Sequence, residues 1–256
     1  SNEFRIGIDS NSVQLDPVEF KAGGGQIRIS SDMLLSSLSI VDINMDAQFE
    51  NAEIEKIGST KLELNGLLGW TGSQSLSRIY NKDSPIVITG VVMHPLNLGD
   101  FLFDNDIIRP PGTPSPFWES VSLDIAVDIP DLAIENDIAQ LTIEGGVAFT
   151  NSAQNPIVTG NAIAKDEGEI KYLDTTFNLE LGRIDLTRRF PLENFSAMLD
   201  YPIEQLNPDL TLQATAQRVR DIYGTEYDVE LSTSGPVSTV TPQLQASPIE
   251  SGSGNL

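Results

Sequence analysis

The stretch VSLDIAVDI at residues 121–129 alternates apolar and polar side chains, and it decides the fold class. Apolar residues occupy every second position from Val121 to Ile129, while Asp124 and Asp128 fall between them. Side chains of a β-strand point alternately to its two faces, so a period of two is typical of a strand with one dry and one wet face. The stretch therefore predicts a half-buried β-strand.

The same alternation recurs along the chain, and turn signals such as Gly145–Gly146, Asn155–Pro156 and Gly235–Pro236 separate the runs. In the second half of the chain, the positions that we expect on one apolar face are Val121, Leu123, Ile125, Val127, Ile129, Leu141, Ile143, Val147, Phe149, Ile170, Tyr172, Phe177, Leu179, Leu181, Ile184, Leu186, Leu210, Leu212, Tyr227, Val229 and Leu231. The pattern predicts an all-β protein. It leaves a sandwich, a barrel, a β-helix and a long open curved sheet as alternative shapes.

Four segments depart from the alternation. SDMLLSSL at residues 31–38 predicts a short helix capped by its first two residues, and PLNLGDFLF at residues 95–103 predicts a second one. RPPGTPSPF at residues 109–117 contains four prolines and predicts an irregular loop. The alternation changes parity at Gly182–Arg183, which predicts a bulge or a turn there.

The net charge excludes several classes of partner. The chain has 37 acidic and 15 basic residues, which gives a formal net charge of -22. Binding to nucleic acid and docking on an anionic leaflet both require clustered Lys and Arg, so we expect neither.

The absence of cysteine excludes disulfides and thiol catalysis. No apolar run approaches the roughly 18 residues that a transmembrane helix requires.

No residue pattern indicates catalysis or a metal site. His94 is the single histidine and lies in a Met-His-Pro sequence, so neither a triad nor a zinc site is expected. Acidic residues between Asp42 and Glu53 have the spacing of a calcium-binding loop, but Ala47 stands where that loop needs glycine. We therefore predict a protein that is not an enzyme and needs no cofactor.

An ordered series of motifs in the second half of the chain resembles a known family. The series consists of NPIVTG at residues 155–160, GEIKYLDTTFNLELGRIDL at 168–186, NPDLTLQATAQ at 207–217 and YDVELSTSGPVSTVTPQLQASP at 227–248. It resembles the C-terminal region of the TamB family, the inner-membrane subunit of the translocation and assembly module. That family is similar to the AsmA-like and bridge-like lipid transfer proteins. The best match covers residues 121–248.

The resemblance implies a single elongated β-trough over residues 3–250. The terminal residues 1–2 and 251–256 are interpreted from their own sequence as tag or linker remnants. The sheet is expected to fold into a U-shaped trough, or β-taco, whose apolar interior is the lipid groove lined by the positions given above. The implied location is the periplasm of a diderm bacterium, with an inner-membrane anchor outside this segment.

Two functions are consistent with the resemblance. In the first, the groove binds phospholipid acyl chains and moves phospholipid between the inner and outer membranes, together with a TamA-like outer-membrane barrel. In the second, the sheet is a scaffold or chaperone for outer-membrane proteins, such as autotransporters, that the partner barrel inserts. The ligands differ, because a client strand would pair with backbone at a sheet edge.

Overall fold

The computed structural model describes residues 6–36, 39–56, 60–93, 116–154, 156–165, 168–186, 207–237 and 239–249. Strands in the first half are β1 (Ile6–Ile8), β2 (Ser12–Ala22), β3 (Gly25–Ser36), β4 (Ser39–Lys56), β5 (Thr60–Gly72), β6 (Ser77–Asn81) and β7 (Ile86–Val92). A four-residue helix, α1 (Pro116–Glu119), precedes the second half. The strands that follow are β8 (Val121–Glu135), β9 (Ala139–Ser152), β10 (Pro156–Ala164), β11 (Glu169–Tyr172), β12 (Thr175–Leu186), β13 (Asp209–Arg220), β14 (Glu226–Pro236) and β15 (Gln243–Pro248).

All fifteen of these strands belong to one long curved sheet, which confirms the predicted all-β class. Two positions in the sheet are each filled by an interrupted strand, because β6 and β7 both pair with β5 and β8, and β10 and β11 both pair with β9 and β12. The sheet therefore has thirteen positions rather than the fifteen that its strand count suggests. Neighbouring strands are ~4.8 Å apart, so the two outer strands are separated by roughly 58 Å along the sheet.

Pairing is antiparallel throughout the sheet except at one joint. There, β6 and β7 run parallel to β8, with Ser77 opposite Val121 and Ile86 opposite Val127. Parallel neighbours need a long crossover connection, and the chain between Val92 and Val121 contains the proline-rich residues 109–115, which lie outside the described residues. Two antiparallel halves, β1–β7 and β8–β15, are thereby joined edge to edge in one sheet.

The strand registers keep the apolar positions together on one side, called here the apolar face. Across β8, β9 and β10, for example, Val127 lies opposite Val147, and Val147 lies opposite Gly160. Across β13 and β14, Ala214 lies opposite Leu231. Because the side-chain period of a strand is two, these pairings fix the face of every residue between bulges.

Glycines on the apolar face allow the sheet to bend. A Cβ atom at Gly145 would overlap the carbonyl oxygen of Asn161 and lie 2.8 Å from the Cα atom of Ala162. One at Gly160 would overlap the carbonyl oxygen of Gly146. Such a close approach of neighbouring backbones on the apolar face is expected where a sheet curves toward that face, because the neighbouring strands tilt inward there.

The predicted helix at residues 31–38 is wrong as far as Ser36, because β3 continues through it. Met33 lies opposite Val13 on β2 and Ile43 on β4, so both neighbours supply backbone hydrogen bonds that an isolated helix would have to make internally. The predicted helix at residues 95–103 lies outside the described residues, as do Leu38 and residues 1–2 and 251–256, which were predicted to be tag or linker remnants.

The predicted loop at residues 109–117 is corrected at its end, where Pro116 and Phe117 begin α1. Proline is favoured in the first turn of a helix because the missing N–H has no partner there in any case. No helix in the described part of the chain is long and apolar enough to cross a membrane.

The predicted parity change in β12 exists, but it occurs earlier than Gly182–Arg183. Leu179 lies opposite Ala214 and Leu181 lies opposite Gln213, so Glu180 is the extra residue of a bulge. Leu181 is consequently on the opposite face and 39 % exposed, and its assignment to the apolar face is wrong. Gly182 returns to the apolar face, where a Cβ atom would lie 3.0 Å from the Cβ atom of Ala164.

Candidate functional site: the apolar face

The structure brings the predicted apolar positions together on one face of the sheet, with Leu181 as the exception. Pairs from neighbouring strands form rows across the sheet, such as Ile125 with Phe149 and Ile184 with Leu210. Continuous rows of this kind result from antiparallel registers that match the alternation of each strand. The face therefore extends over every strand from β8 to β14.

Most side chains on this face are half-buried, and a few are enclosed. One enclosed cluster consists of Phe177, Ala214, Ala216 and Leu231. The partly buried side chains that pack against it are Ile170, Tyr172, Leu179, Leu212, Val219 and Val229. Every described strand belongs to the one sheet, so no second sheet covers the apolar face within the described residues. The side chains thus present an aliphatic surface rather than a filled interior.

A second enclosed cluster lies where β5 ends and β8 begins. It consists of Val121, Leu123 and Ala153, and Trp70 packs against it. Helix α1 places the ring of Trp118 against that of Trp70, with ring centroids 6.4 Å apart and an angle of 26° between the planes. These are the two tryptophans of the chain, so intrinsic tryptophan fluorescence reports on this end of the apolar face.

The polar side chain of Asn81, which occupies an apolar-face position opposite Leu68, is satisfied by the backbone. Asn81 ends β6, and its side-chain amide donates to the carbonyl oxygen of Ala126 at 3.1 Å. The N–H of Ala126 donates in turn to Oδ1 of Asn81 at 2.5 Å. Buried polar groups without such partners would be costly, so this pairing closes the gap between β6 and β7 without exposing unpaired amide atoms to the apolar face.

Charged side chains lie on the opposite face. Asp124, Asp128, Glu180, Asp228 and Glu230 are all exposed, as the alternation predicts. From β8 to β15, every described Asp, Glu, Lys and Arg within a strand falls at an opposite-face position or at a bulge. The sheet therefore separates an aliphatic face from an acidic one.

Ion pairs on the opposite face lie both between strands and within a strand. Lys82 Nζ lies 2.5 Å from Asp46 Oδ1, and Arg78 pairs with Asp124 across the parallel joint. Within β12, the hydrogen bond from Arg183 to Asp185, helped by the negative charge of that carboxylate, raises the pKa of Arg183 above its ordinary value. Exposed pairs such as these contribute little to stability individually.

No metal site is found in the described part of the chain, where no three His, Cys, Asp or Glu side chains converge. The acids between Asp42 and Glu53, whose spacing is similar to that of a calcium loop, belong to strand β4. His94 lies outside the described residues.

In the first half, the alternation of VDINMDAQF at residues 41–49 places Val41, Ile43, Met45, Ala47 and Phe49 on one face. The structure agrees except at Val41, which is the extra residue of a bulge and is exposed. Sequence reasoning missed the other apolar-face residues of β2 to β6, which are Val13, Leu15, Val18, Ile27, Ile29, Met33, Leu62, Leu64, Leu68, Trp70 and Ile79. The structure also adds Leu132 and Ile134 in β8, which follow a bulge at Pro130–Asp131. Proline within a strand is the signal that could have located that bulge, since proline cannot donate to the ladder.

These features define a class of protein: a single-layer, all-β protein whose sheet has one aliphatic and one acidic face. The family model of the TamB C-terminal domain matches residues 101–253, and the chain belongs to this family. Membership implies a periplasmic protein of the cell envelope with a role in the translocation and assembly module. The match covers the antiparallel half β8–β15, while β1–β7 precede it. No curated protein matches the chain.

Proposed function

We propose that the apolar face binds phospholipid acyl chains and conducts phospholipid between the inner and outer membranes without chemical catalysis. The observation that carries this proposal is the continuous, half-buried aliphatic surface that crosses the sheet from strand to strand. Monomeric proteins rarely leave apolar surfaces of this extent exposed unless the surface is functional.

The energetics of burial favour an acyl chain as the ligand. Each methylene group that leaves water for an apolar surface gains ~0.8 kcal/mol. Aliphatic side chains such as Val127, Ile143 and Leu212 offer no directional bonds, so successive positions along the sheet bind a chain with similar free energy. A ligand can then move along the face without being trapped at one step.

The acidic face supports the same proposal from the other side of the sheet. A protein with a large apolar surface resists self-association when its remaining surface has a high net charge, and the formal charge here is -22. Exposed carboxylates also keep the opposite face in water, so the lipid is restricted to the apolar face.

A second candidate function is favoured by the edge strand β15. This strand pairs with β14 and with no other described strand, and its six residues are all exposed. An open edge with free backbone groups can accept an extended client segment by strand addition. On this alternative, the sheet would be a scaffold that holds outer-membrane proteins, such as autotransporters, for insertion by a barrel.

Either function requires partners that are not part of this chain. We propose a TamA-like outer-membrane barrel as the partner at the outer membrane, and an inner-membrane anchor outside these residues. Family membership supports this arrangement.

Native mass spectrometry of the purified chain, with lipid extraction in parallel, tests the acyl-chain function. Leu179 is on the apolar face and Leu181, two residues later, is on the opposite face, so Leu179→Asp and Leu181→Asp form a matched pair. A carboxylate on the apolar face costs ~1–3 kcal/mol when an acyl chain covers it. We expect bound phospholipid to fall at least about fivefold in Leu179→Asp and to be retained in Leu181→Asp.

Circular dichroism controls for folding, and Val229→Asp repeats the test on β14. A parent protein that contains no lipid and takes up no fluorescent phospholipid would contradict acyl-chain binding and favour the scaffold function. Equal loss of lipid in Leu179→Asp and Leu181→Asp would show that charge, rather than the face, determines binding.

A further inference from the structure

Three turns in the second half of the sheet hold large apolar side chains in solvent. Ile138 is 62 % exposed in the β8–β9 turn, and Leu173 is 71 % exposed in the β11–β12 turn. In the β13–β14 turn, Ile222 is 91 % exposed and Tyr223 is 86 % exposed. A single exposed apolar residue is ordinary, but these four residues, called here the turn row, are aligned.

The turn row lies along one edge of the sheet, where strand ends meet. Strands alternate in direction from β8 to β14, so turns that are two strands apart emerge at the same edge. The N–H of Lys171 donates to the carbonyl oxygen of Ile138 at 2.7 Å, which connects the first turn to β11, two residues before Leu173 in the second turn. Two strand widths separate successive turns, so the apolar tips repeat every ~10 Å.

The turns present these side chains from ordered backbone. Oδ1 of Asp221 accepts hydrogen bonds from the N–H groups of Tyr223 at 2.8 Å and Thr225 at 2.9 Å. Oδ1 of Asn136 likewise accepts from the N–H of Ile138 at 2.9 Å. Side-chain bonds of this kind fix a turn, so little conformational entropy remains to be lost when the tips contact another surface.

The backbone at Leu173 is strained as well as its side chain being exposed. Leu173 and Asp174 have φ angles of 48° and 62°, the left-handed values of a two-residue turn that favours Asn and Gly. A branched apolar residue gains nothing from such a position in the folded sheet, since its side chain points into water. Strain retained at an exposed residue is typical of a functional surface.

We propose that the turn row is a membrane-docking edge that inserts into the interfacial layer of a net-neutral phospholipid bilayer. Aliphatic side chains and a tyrosine are the residue types that partition into that layer. Tips that repeat along one edge of the sheet can contact the same bilayer surface together. Asp137, Asp174 and Asp221 flank the tips, so anionic headgroups are repelled and neutral ones are preferred.

The docking edge is continuous with the apolar face. The pair Ile134–Leu141 lies beside the first turn, Tyr172 beside the second, and the pair Val219–Tyr227 beside the third. A lipid that leaves the bilayer at this edge reaches the aliphatic surface without crossing the acidic face. This part of the inference rests on the proposed acyl-chain function.

Co-sedimentation with phosphatidylcholine vesicles tests the docking edge, with the double substitution Ile222→Ser and Tyr223→Ser as the variant. Both side chains are in solvent, so folding is expected to be unchanged. The substitutions remove the apolar area that these two side chains bury in the bilayer on docking, which should lower vesicle partitioning about tenfold. Leu76→Ser is the matched control, because Leu76 is 73 % exposed in the β5–β6 turn at the other end of the strands, and it should bind like the parent.

Uptake of a monomeric fluorescent fatty acid, measured without vesicles, separates docking from groove binding. The double variant should take up the probe like the parent. A parent that does not bind phosphatidylcholine vesicles, a double variant that binds them fully, or binding that requires anionic lipid would each overturn the docking edge. Vesicle binding without probe uptake would support the docking edge and contradict the proposed function.

Discussion

Partial burial is the property of individual residues that matters most on the apolar face. Phe177 and Val121 are enclosed, whereas Ile170 and Val229 are only partly buried although each packs against a buried cluster. Side chains in a filled core would be close-packed on all sides. Half-burial leaves one side of each aliphatic group available, which is what a sliding apolar ligand requires.

Glu53 provides a residue-scale prediction about pH. Its carboxylate lies 3.0 Å from Lys61 Nζ, and the bonds from Lys61 and from the backbone of Gly24 lower the pKa of Glu53 below 4.5. A carboxylate with a lowered folded-state pKa stabilises the protein above its unfolded-state pKa, and that contribution is lost as the pH falls through the folded value. Glu53→Gln should therefore lower the urea midpoint at pH 7, with a much smaller effect well below pH 4.5.

Lys61→Met controls for the source of this effect. In that background, Glu53→Gln should change the midpoint less at pH 7, since the main partner of the carboxylate is gone. A Glu53→Gln effect of the same size at neutral and acidic pH would contradict the assigned role.

At the scale of elements, bulges determine which face of the sheet the residues that follow them occupy. One extra residue interrupts the register in β2, β8, β12 and β13, and two extra residues do so in β4. Each bulge reverses the parity of the residues that follow and increases local twist and bend. Without the bulge at Glu180, Ile184 would point to the acidic face. Long curved strands thus keep one face apolar only because their sequences shift phase at these points.

Close strand approach on the apolar face gives an element-scale prediction. Gly145→Ala forces the β9 and β10 backbones apart, since its Cβ atom would overlap the carbonyl of Asn161. We expect a loss of ~2 kcal/mol in unfolding free energy by urea denaturation. At Gly7 a Cβ atom would meet no neighbour closer than 3.8 Å, so Gly7→Ala should change stability by less than ~0.5 kcal/mol. Equal losses in the two variants would refute close approach as the reason for Gly145.

Local alternation was sufficient to predict the strands and most of the apolar face in the second half. It was insufficient where two structures compete for the same short apolar run, as at Met33, where pairing with β2 and β4 overrides a local helix signal. It also misplaced the β12 bulge, because Gly182 marks a close approach to Ala164 rather than the extra residue. The parallel joint could not be predicted, since pairing between β7 and β8 depends on contacts distant in sequence.

At the scale of the whole molecule, the described residues form one sheet of thirteen positions with two chemically different faces. Its parallel joint connects a first half to the half that matches the TamB C-terminal domain, and apolar rows such as Leu62, Gly90 and Leu132 cross that joint in register. An acyl chain on this face would therefore meet aliphatic side chains in both halves. Charge on the acidic face keeps such a molecule soluble without covering the apolar surface.

Tryptophan quenching by brominated lipid tests acyl-chain binding most directly, because Trp70 and Trp118 lie against the apolar face. The protein is loaded either with phosphatidylcholine whose acyl chains carry bromine or with the unbrominated lipid. The tryptophan emission of the two samples is compared at the same amount of bound lipid per protein. We predict strong quenching by the brominated lipid, retained in Trp118→Phe, where Trp70 alone reports. Equal emission from both samples would contradict an acyl chain on the apolar face.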